Sequence, residues 1–334
     1  MHNHTALTPD SVRTLSYWPY RDRLGVVSAR GTPPDLRSGR TAPWAFATRL
    51  RLRLRVGLAV CLVVLTASVA IPAEEVGRLA ITWQDNFLTI TAPGLPGGEI
   101  RINYLEAYCR PGSTDRDWGE TVIKHTATLI AVEEDGHRIR LLDRLADGVQ
   151  VEHTISARDD EVGFEVVAHN PTAQDSQVDW AQPCIRVDKF TGTDPADARE
   201  LFPPYIRRCF LFVDGKLTRL PTEPWAREAR YTPGQVYVPA GVDRHDVNPR
   251  PLSSIVPSNG LCGCFSADES TIMAVAWEPY QEIFQGVITC IHSDFRIGGL
   301  KAGEKKTIRG KIYVVPAKEV DRLVERYQHD FAVP

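Results

Sequence analysis

Methionine is nearly missing from this 334-residue chain, which carries it only at positions 1 and 273, and acids are nearly missing from its first fifth. Residues 1–73 hold ten arginines and three acids, leaving 29 bases and 39 acids for the rest, a body charge of about −10 against −3 for the whole. A net acidic body has no broad positive field for phosphates, so nucleic acid and anionic membrane surfaces are not expected partners. Long apolar runs are equally scarce. The one long apolar run, VGLAVCLVVLTASVA at 56–70, is shorter than the roughly 18 to 20 residues that span hydrocarbon, so no stable membrane span is expected. Nucleotide fingerprints and phosphate loops are absent, and Gly97-Gly98 and Gly298-Gly299 read as turns. With 43% hydrophobic residues and Gly and Pro at 24 each, the composition excludes collagen-like, wholly disordered and polytopic membrane classes.

What the N-terminus does have is an order of segments. RLRLRLR at 49–55 precedes the apolar run and IPAEE follows it, the sequence of regions in a secretory signal. Cleavage is expected near Ala73 and the body is expected to be secreted or periplasmic. Val60 stands before Cys61 where a lipid anchor would need a small residue, so a lipoprotein is not expected. Residues 1–48, rich in Arg, Pro, Gly, Ser and Thr without apolar periodicity, read as an unstructured extension. No internal methionine opens a shorter signal, so the expected start is a non-Met codon near Leu50 and residues 1–48 a mis-assigned lead; a genuine long leader is the alternative.

From Glu74 to Pro334 the apolar period is two, and turn residues interrupt it at the spacing of a sandwich or barrel. One all-β domain is predicted over 74–334. Its strands are expected at 78–83, 87–91, 99–105, 121–132, 137–143, 149–156, 162–169, 178–187, 208–213, 216–220, 261–266, 271–277, 282–291 and 307–315. Asp85-Asn86, Asp135-Gly136 and Asp214-Gly215 carry hairpin signals. Residues 191–206 and 221–259 read as long loops lying over the sheet, with Trp225, Tyr231, Tyr237 and His245 among them. Only the tail changes period: Val320, Leu323, Val324, Tyr327 and Phe331 share one face of a helix from about Lys318 to Phe331.

Two segments resemble a known family. FEVVAHNPTAQDSQVDWAQPCIRV, residues 164–187, is similar to the central hairpin of galactose mutarotase-like (aldose 1-epimerase-like) β-supersandwiches, where a strand ending in Asn leads to a His-Pro-Tyr-Phe segment. IGGLKAGEKKTIRGKIYVV, residues 297–315, is similar to their closing turn and last strand. The resemblance implies a large antiparallel supersandwich with a C-terminal amphipathic helix, and a sugar as ligand. The family's His-Pro pair is matched here by Gln182-Pro183, and its aromatic pair by Cys184 and Ile185. A glutamine cannot be a general acid, so mutarotation by the family's own residues is not implied, and Gln182 is read as a substrate-binding group.

Aromatic rings beside polar groups are what a sugar requires, because pyranose C–H faces stack on rings while hydroxyls seek hydrogen bonds. Trp118, Trp180, Trp225, Trp277 and Tyr280 each have polar neighbours in sequence, though core packing would explain any one of them. WEPYQEIFQG, residues 277–286, sets Glu278 and Glu282 four apart around Pro279, a spacing that lets two carboxyls face one cleft for acid/base work. The alternative is a pair of solvated edge acids. CIHSDF, residues 290–295, is read as a turn holding His292 and Asp294, and His292 is the first choice of proton-transfer group. His169-Asn170 ends one strand, and Arg186 ends the next, where it could bind a uronate carboxylate or simply pair with Asp179 or Asp188. Asp243, His245 and Asp246 leave calcium open; otherwise no cofactor and no metal is expected.

Six cysteines follow the signal: Cys109, Cys184, Cys209, Cys262, Cys264 and Cys290. An even count in an exported protein permits disulfides, while four of them sit in or beside apolar strands, where free buried thiols are common. Two readings stand. One is an exported carbohydrate-interacting enzyme, an epimerase, lyase or glycoside hydrolase, with His292, Glu282 and Glu278 moving protons. In it Arg186, Trp180, Gln182, His169, Trp118 and Trp277 bind the substrate. The other is a non-catalytic glycan-binding or envelope-structural sandwich. Convergence of Arg186, His292, Glu282 and Trp180 on one concave face would favour the first.

Overall fold

The computed structural model describes residues 76–133, 135–194, 203–221 and 231–331. The expected extension, signal and cleavage point, and Trp225, lie outside the described residues.

Turn chemistry starts the fold. Asp85 and Asn86 both adopt positive φ, 50° and 65°, as a two-residue hairpin turn requires, and join β1 (Ala80–Gln84) to β2 (Phe87–Thr91). β3 (Glu99–Cys109), β4 (Val122–Ile123), β5 (His125–Val132), β6 (Arg138–Leu145), β7 (Gln150–Ala157) and β8 (Glu161–His169) follow, with a short helix α1 (Trp118–Thr121) before β4. Next come β9 (Trp180–Arg186), the single turns α2 (Asp188–Thr191) and α3 (Tyr205–Arg208), then β10 (Cys209–Val213) and β11 (Lys216–Arg219) across Asp214-Gly215. β12 (Tyr231–Tyr237), β13 (Arg250–Leu252), β14 (Cys262–Phe265), β15 (Thr271–Glu278), β16 (Tyr280–Gly286), β17 (Cys290–Arg296) and β18 (Lys305–Pro316) complete the strands, and α4 (Val320–Asp330) closes the chain.

The strands form two nine-stranded sheets. The first runs β1-β2-β3-β9-β17-β16-β12-β13, with β4 also on β3; the second runs β11-β10-β14-β15-β18-β8-β7-β6-β5. Every pairing is antiparallel except β12 with β13. The predicted all-β class and the C-terminal helix are what the structure shows. Alternate residues such as Ile102, Ile185, Ile291 and Ile283 from the first sheet meet Val151, Val166, Val275 and Ile312 from the second in one apolar core. At its centre Trp277 lies between Phe164 and Phe295, with ring centroids 5.1 and 4.6 Å away. Gly310 leaves room for that indole, since a Cβ there would stand 2.4 Å from Trp277 Cε3. Burying one such ring contributes on the order of 2–3 kcal/mol.

The amphipathic stripe of α4 docks Leu323, Tyr327 and Phe331 on the outer face of the second sheet, against Ile272, Ala274 and Tyr313. Arg326 bonds Asp160 and Glu161, and Lys311 bonds Glu161, which fixes the helix direction. Among the described residues no helix is long and apolar enough to cross a membrane.

Two expectations differ from the structure. The predicted strand 282–291 is a hairpin: β16 ends at Gly286, Thr289 takes φ 58°, and β17 begins at Cys290, so His292 and Asp294 lie inside a strand. Val287, Ile288 and Thr289 carry β-branched side chains, which gave the turn the composition of a strand. The predicted loop 221–259 contains β12 and β13; Pro233 and Gly234 hid β12, whose pairing is irregular between Tyr231 and Val236.

Candidate functional site

Strand parity places the site. In β9, Ala181 and Ile185 face the core, so Trp180, Gln182, Cys184 and Arg186 face outward; in β17, Ile291 and Phe295 face in and Cys290, His292, Asp294 and Arg296 face out. In β16 a register shift between Tyr280 and Glu282 sets Glu282, Phe284 and Gly286 on the same outer face. The register then stacks them in rows: Glu282 opposite Asp294, Phe284 opposite His292, Gly286 opposite Cys290, and Cys290 opposite Arg186. Arg186, His292, Glu282 and Trp180 thus converge on one face.

The other sequence candidates are elsewhere. Trp277 is a core residue between the sheets. Glu278 ends β15 in the second sheet and accepts a hydrogen bond from Tyr327 of α4, so the expected pairing of Glu278 with Glu282 does not occur. The reason is topological, for the chain passes from one sheet to the other at Pro279. His169 ends β8 opposite Lys305 and Gln150, and buried Asn170 after it donates to the carbonyls of Gln174, Leu300 and Lys301, holding a crossing between sheets. Tyr280 packs in the core.

Glu282 and Asp294 are 0% exposed and share a rung of the sheet. Neither oxygen of Glu282 meets a hydrogen-bond donor, nor does Oδ2 of Asp294. A proton on Glu282 directed at Asp294 is the economical way to keep both, and burial followed by the Asp294 charge pushes Glu282 well above the usual carboxyl range. Burial also pushes Asp294 up, to about 6, against the lowering by His292, whose Nδ1 lies 3.4 Å from Asp294 Oδ1. Burial opposes charge on His292, but Cys184 and Asp294 outweigh it and hold the imidazole well above its ordinary value. Its Nε2 faces the Cys290 thiol at 3.3 Å, and its ring stacks on Phe284 at 4.3 Å. Both imidazole nitrogens are therefore engaged within the face.

Two loops meet over this region. Gly112 donates its N–H to Asp246, Thr114 donates to the Val247 carbonyl, and Asn248 donates to the Ser113 carbonyl, zipping 112–114 to 246–248. Arg250, which donates to Thr114 and the Arg244 carbonyl, acts electrostatically on Glu282. Asp243 caps its own turn at His245, and Asp246 holds Gly112, so both acids have structural duties. Trp118, half-buried, lies 6.4 Å from Trp180 and 5.9 Å from Tyr231, centroid to centroid, and Tyr231 is exposed. In the same loop Arg116 buries Nε and Nη2 without a partner. Arg186 at the far end donates to the Ile288 carbonyl. Sequence reasoning did not assign Arg116, Tyr231, Cys184 or Cys290 to the site. The two cysteines were legible as the outward parity positions of β9 and β17, once His292 is placed in a strand.

The six body cysteines are free and buried. Cys184 Sγ, Cys290 Sγ and His292 Nε2 lie within 4.8 Å of one another, the one such group of three His, Cys or acidic donors among the described residues.

No protein-family model and no curated protein matches the sequence. Solved structures similar in fold include a galactose mutarotase-like protein from Lactobacillus casei ATCC 334, at 10% identity and TM-score 0.35, over 71% of this chain and 99% of that one. An alpha-mannosidase from Enterococcus faecalis V583 is similar at 8% identity and TM-score 0.38, over 77% of this chain and 30% of that one. A TPR-domain containing protein from Parabacteroides distasonis ATCC 8503 is similar at 10% identity and TM-score 0.34, over 70% of this chain and 46% of that one.

Proposed function

We propose that the outer face of the first sheet is a carbohydrate site of an exported protein, with Trp118 and Tyr231 stacking on the sugar, Arg116 bonding its hydroxyls or carboxylate, and the Glu282–Asp294 pair transferring a proton. The observation that carries this is Glu282, wholly buried with both oxygens unpartnered. A carboxyl whose proton is held more tightly than usual, by burial and then by the Asp294 charge, is suited to act as a general acid, and its neighbour holds the proton in place. His292 keeps Asp294 in hydrogen-bond reach and tunes its charge. This chemistry suits epimerisation, elimination beside a uronate, or glycoside cleavage. Because the pair is sealed, substrate entry requires the 112–116 and 244–250 loops to part.

The test is a thermal-shift screen of the full chain against mono- and oligosaccharides, uronates included, with and without calcium. A sugar at 100 times its dissociation constant stabilises the native state by about 2.7 kcal/mol. Trp118→Ala should abolish the shift; Glu282→Gln should keep it and lose turnover. No shift with any glycan sinks the reading. A shift that persists with no turnover by the unaltered chain moves it to the non-catalytic glycan-binding role, which needs only the Trp118 and Tyr231 rings.

A further inference from the structure

Beyond the carboxyl pair, the same face carries a second set of chemically capable groups, whose thiols proton transfer does not use. Cys184, Cys290 and His292 come from two adjacent strands, and all three are buried. The register that pairs Cys290 with Arg186 and Ile291 with Ile185 sets Cys184 opposite His292, so two thiols and one imidazole nitrogen close a triangle. We propose that this triangle is a binding site for a thiophilic d10 metal ion, zinc(II) or copper(I).

Three independent features support it. The donor spacing fits: an ion with about 2.3 Å bonds to sulfur and about 2.0–2.1 Å to nitrogen holds S and N roughly 3.5 Å apart. Cys290 Sγ and His292 Nε2 are 3.3 Å apart without any ion. Soft thiolates with one imidazole select such ions over calcium or magnesium. The imidazole is also oriented as metal-bound histidines are, with Nε2 toward the thiols and Nδ1 toward the Asp294 carboxylate, which fixes the tautomer and raises the basicity of the ligating nitrogen. Finally, Gly286 leaves the triangle open on the β16 side. A Cβ there would stand 2.3 Å from Cys290 Sγ and 3.2 Å from His292 Nε2, so every other residue would fill the space. Gly286 has no positive φ to explain it. The two thiol protons, and the proton on His292 Nε2 where the imidazole is charged, leave to solvent as the ion enters, so binding is proton-coupled and weakens in acid. Zinc(II) would complete its shell with a water, while copper(I) is satisfied by three donors.

The experiment uses the full chain, reduced and stripped with a chelator, and titrated with zinc(II), with copper(I) under anaerobic conditions, and with cobalt(II) as a spectroscopic probe. The expected result is one ion per chain, with proton release and a thiolate-to-cobalt charge-transfer band. Cys184→Ser and Cys290→Ser each remove the band, Cys262→Ser leaves it, and Asp294→Asn weakens binding by roughly 10- to 100-fold. Should the serine variants not fold, X-ray absorption on the unaltered chain decides: a shell of two sulfurs and an imidazole supports the site, and its further light donor distinguishes zinc(II) from three-coordinate copper(I). An all-oxygen shell, binding that survives both substitutions, no stoichiometric binding, or a Cys184–Cys290 disulfide in the protein isolated from its own source overturns it. Glycan screening is a separate readout, so either proposal can fail while the other stands.

Discussion

Among the described residues there are two buried Asp–His pairs, and they behave in opposite ways. Between the sheets, Asp143 lies 3.3 Å from His153; on the outer face, Asp294 lies 3.4 Å from His292. Around the first, Tyr108 donates to Asp143 at 2.7 Å and also contacts His153 Nε2, while Tyr104 contacts His153 Nδ1 at 2.8 Å. Burial would push Asp143 up, but His153, the Tyr108 hydroxyl and His125 outweigh it and hold the carboxyl below its ordinary value. The second pair has Glu282 and Glu106 for neighbours instead, and Asp294 rises to about 6. One pair is nearly satisfied and ties two sheets together; only Asp143 Oδ1 lacks a partner there. The other is surrounded by orphaned acceptors. Proximity of Asp to His is common to both, so what marks a candidate site is the polar capacity left over.

The largest expected consequence is in stability. His153→Leu strips the Tyr104 hydroxyl of its partner and leaves Asp143 in the core with the Tyr108 hydroxyl alone, and should cost about 3–5 kcal/mol. His292→Leu should cost under about 2 kcal/mol, because Asp294 can take up a proton. Urea denaturation of both variants checks this, and equal losses would break the contrast. Next comes pH. Asp294 and Glu282 have raised folded-state values, so the folded chain holds more protons than the unfolded one and stability falls as pH rises, for Asp294 between about 4 and 6. Asp143, lowered, has the opposite sign: its contribution is present at neutral pH and disappears in acid. Glu282→Gln should remove the Glu282 share of the first limb, keep the Asp294 share that burial causes, and leave the second limb, as read by melting temperature against pH. The smallest difference is between two glycines. Gly310→Ala drives a methyl into the clamped Trp277 ring and should cost about 1–3 kcal/mol. Gly286→Ala meets a cysteine sulfur that can rotate away, and should cost about 1 kcal/mol or less while blocking metal.

Much of this was readable from the chain. Turn pairs such as Asp85-Asn86 announce themselves because few residues tolerate positive φ, and α4 because its period departs from two. Trp180, Arg186, Glu282 and His292 were identifiable as candidates by residue type. Their company was not, because it depends on parity and register. Placing His292 in a turn hid that it shares a face with Cys290 and Cys184, and a β-branched turn at 287–289 gives no warning of itself. Glu278 and Glu282 looked like a pair for the converse reason: separation in sequence is blind to a crossing from one sheet to the other.

Those crossings have a consequence for how the chain assembles. β8 and β9, β15 and β16, and β17 and β18 are consecutive in sequence, and each pair is split between the sheets. The order β9-β17-β16 in the first sheet mirrors β8-β18-β15 in the second. The strands β9, β16 and β17 are thus each tethered to a central strand of the opposite layer, and β9 takes both its neighbours, β3 and β17, from distant parts of the chain. Folding so dominated by non-local pairing is slow, in the range of milliseconds to seconds or longer. A nascent chain stopped after β9 holds one wall of the site with its β17-facing edge unmatched, and only the last hundred residues close it.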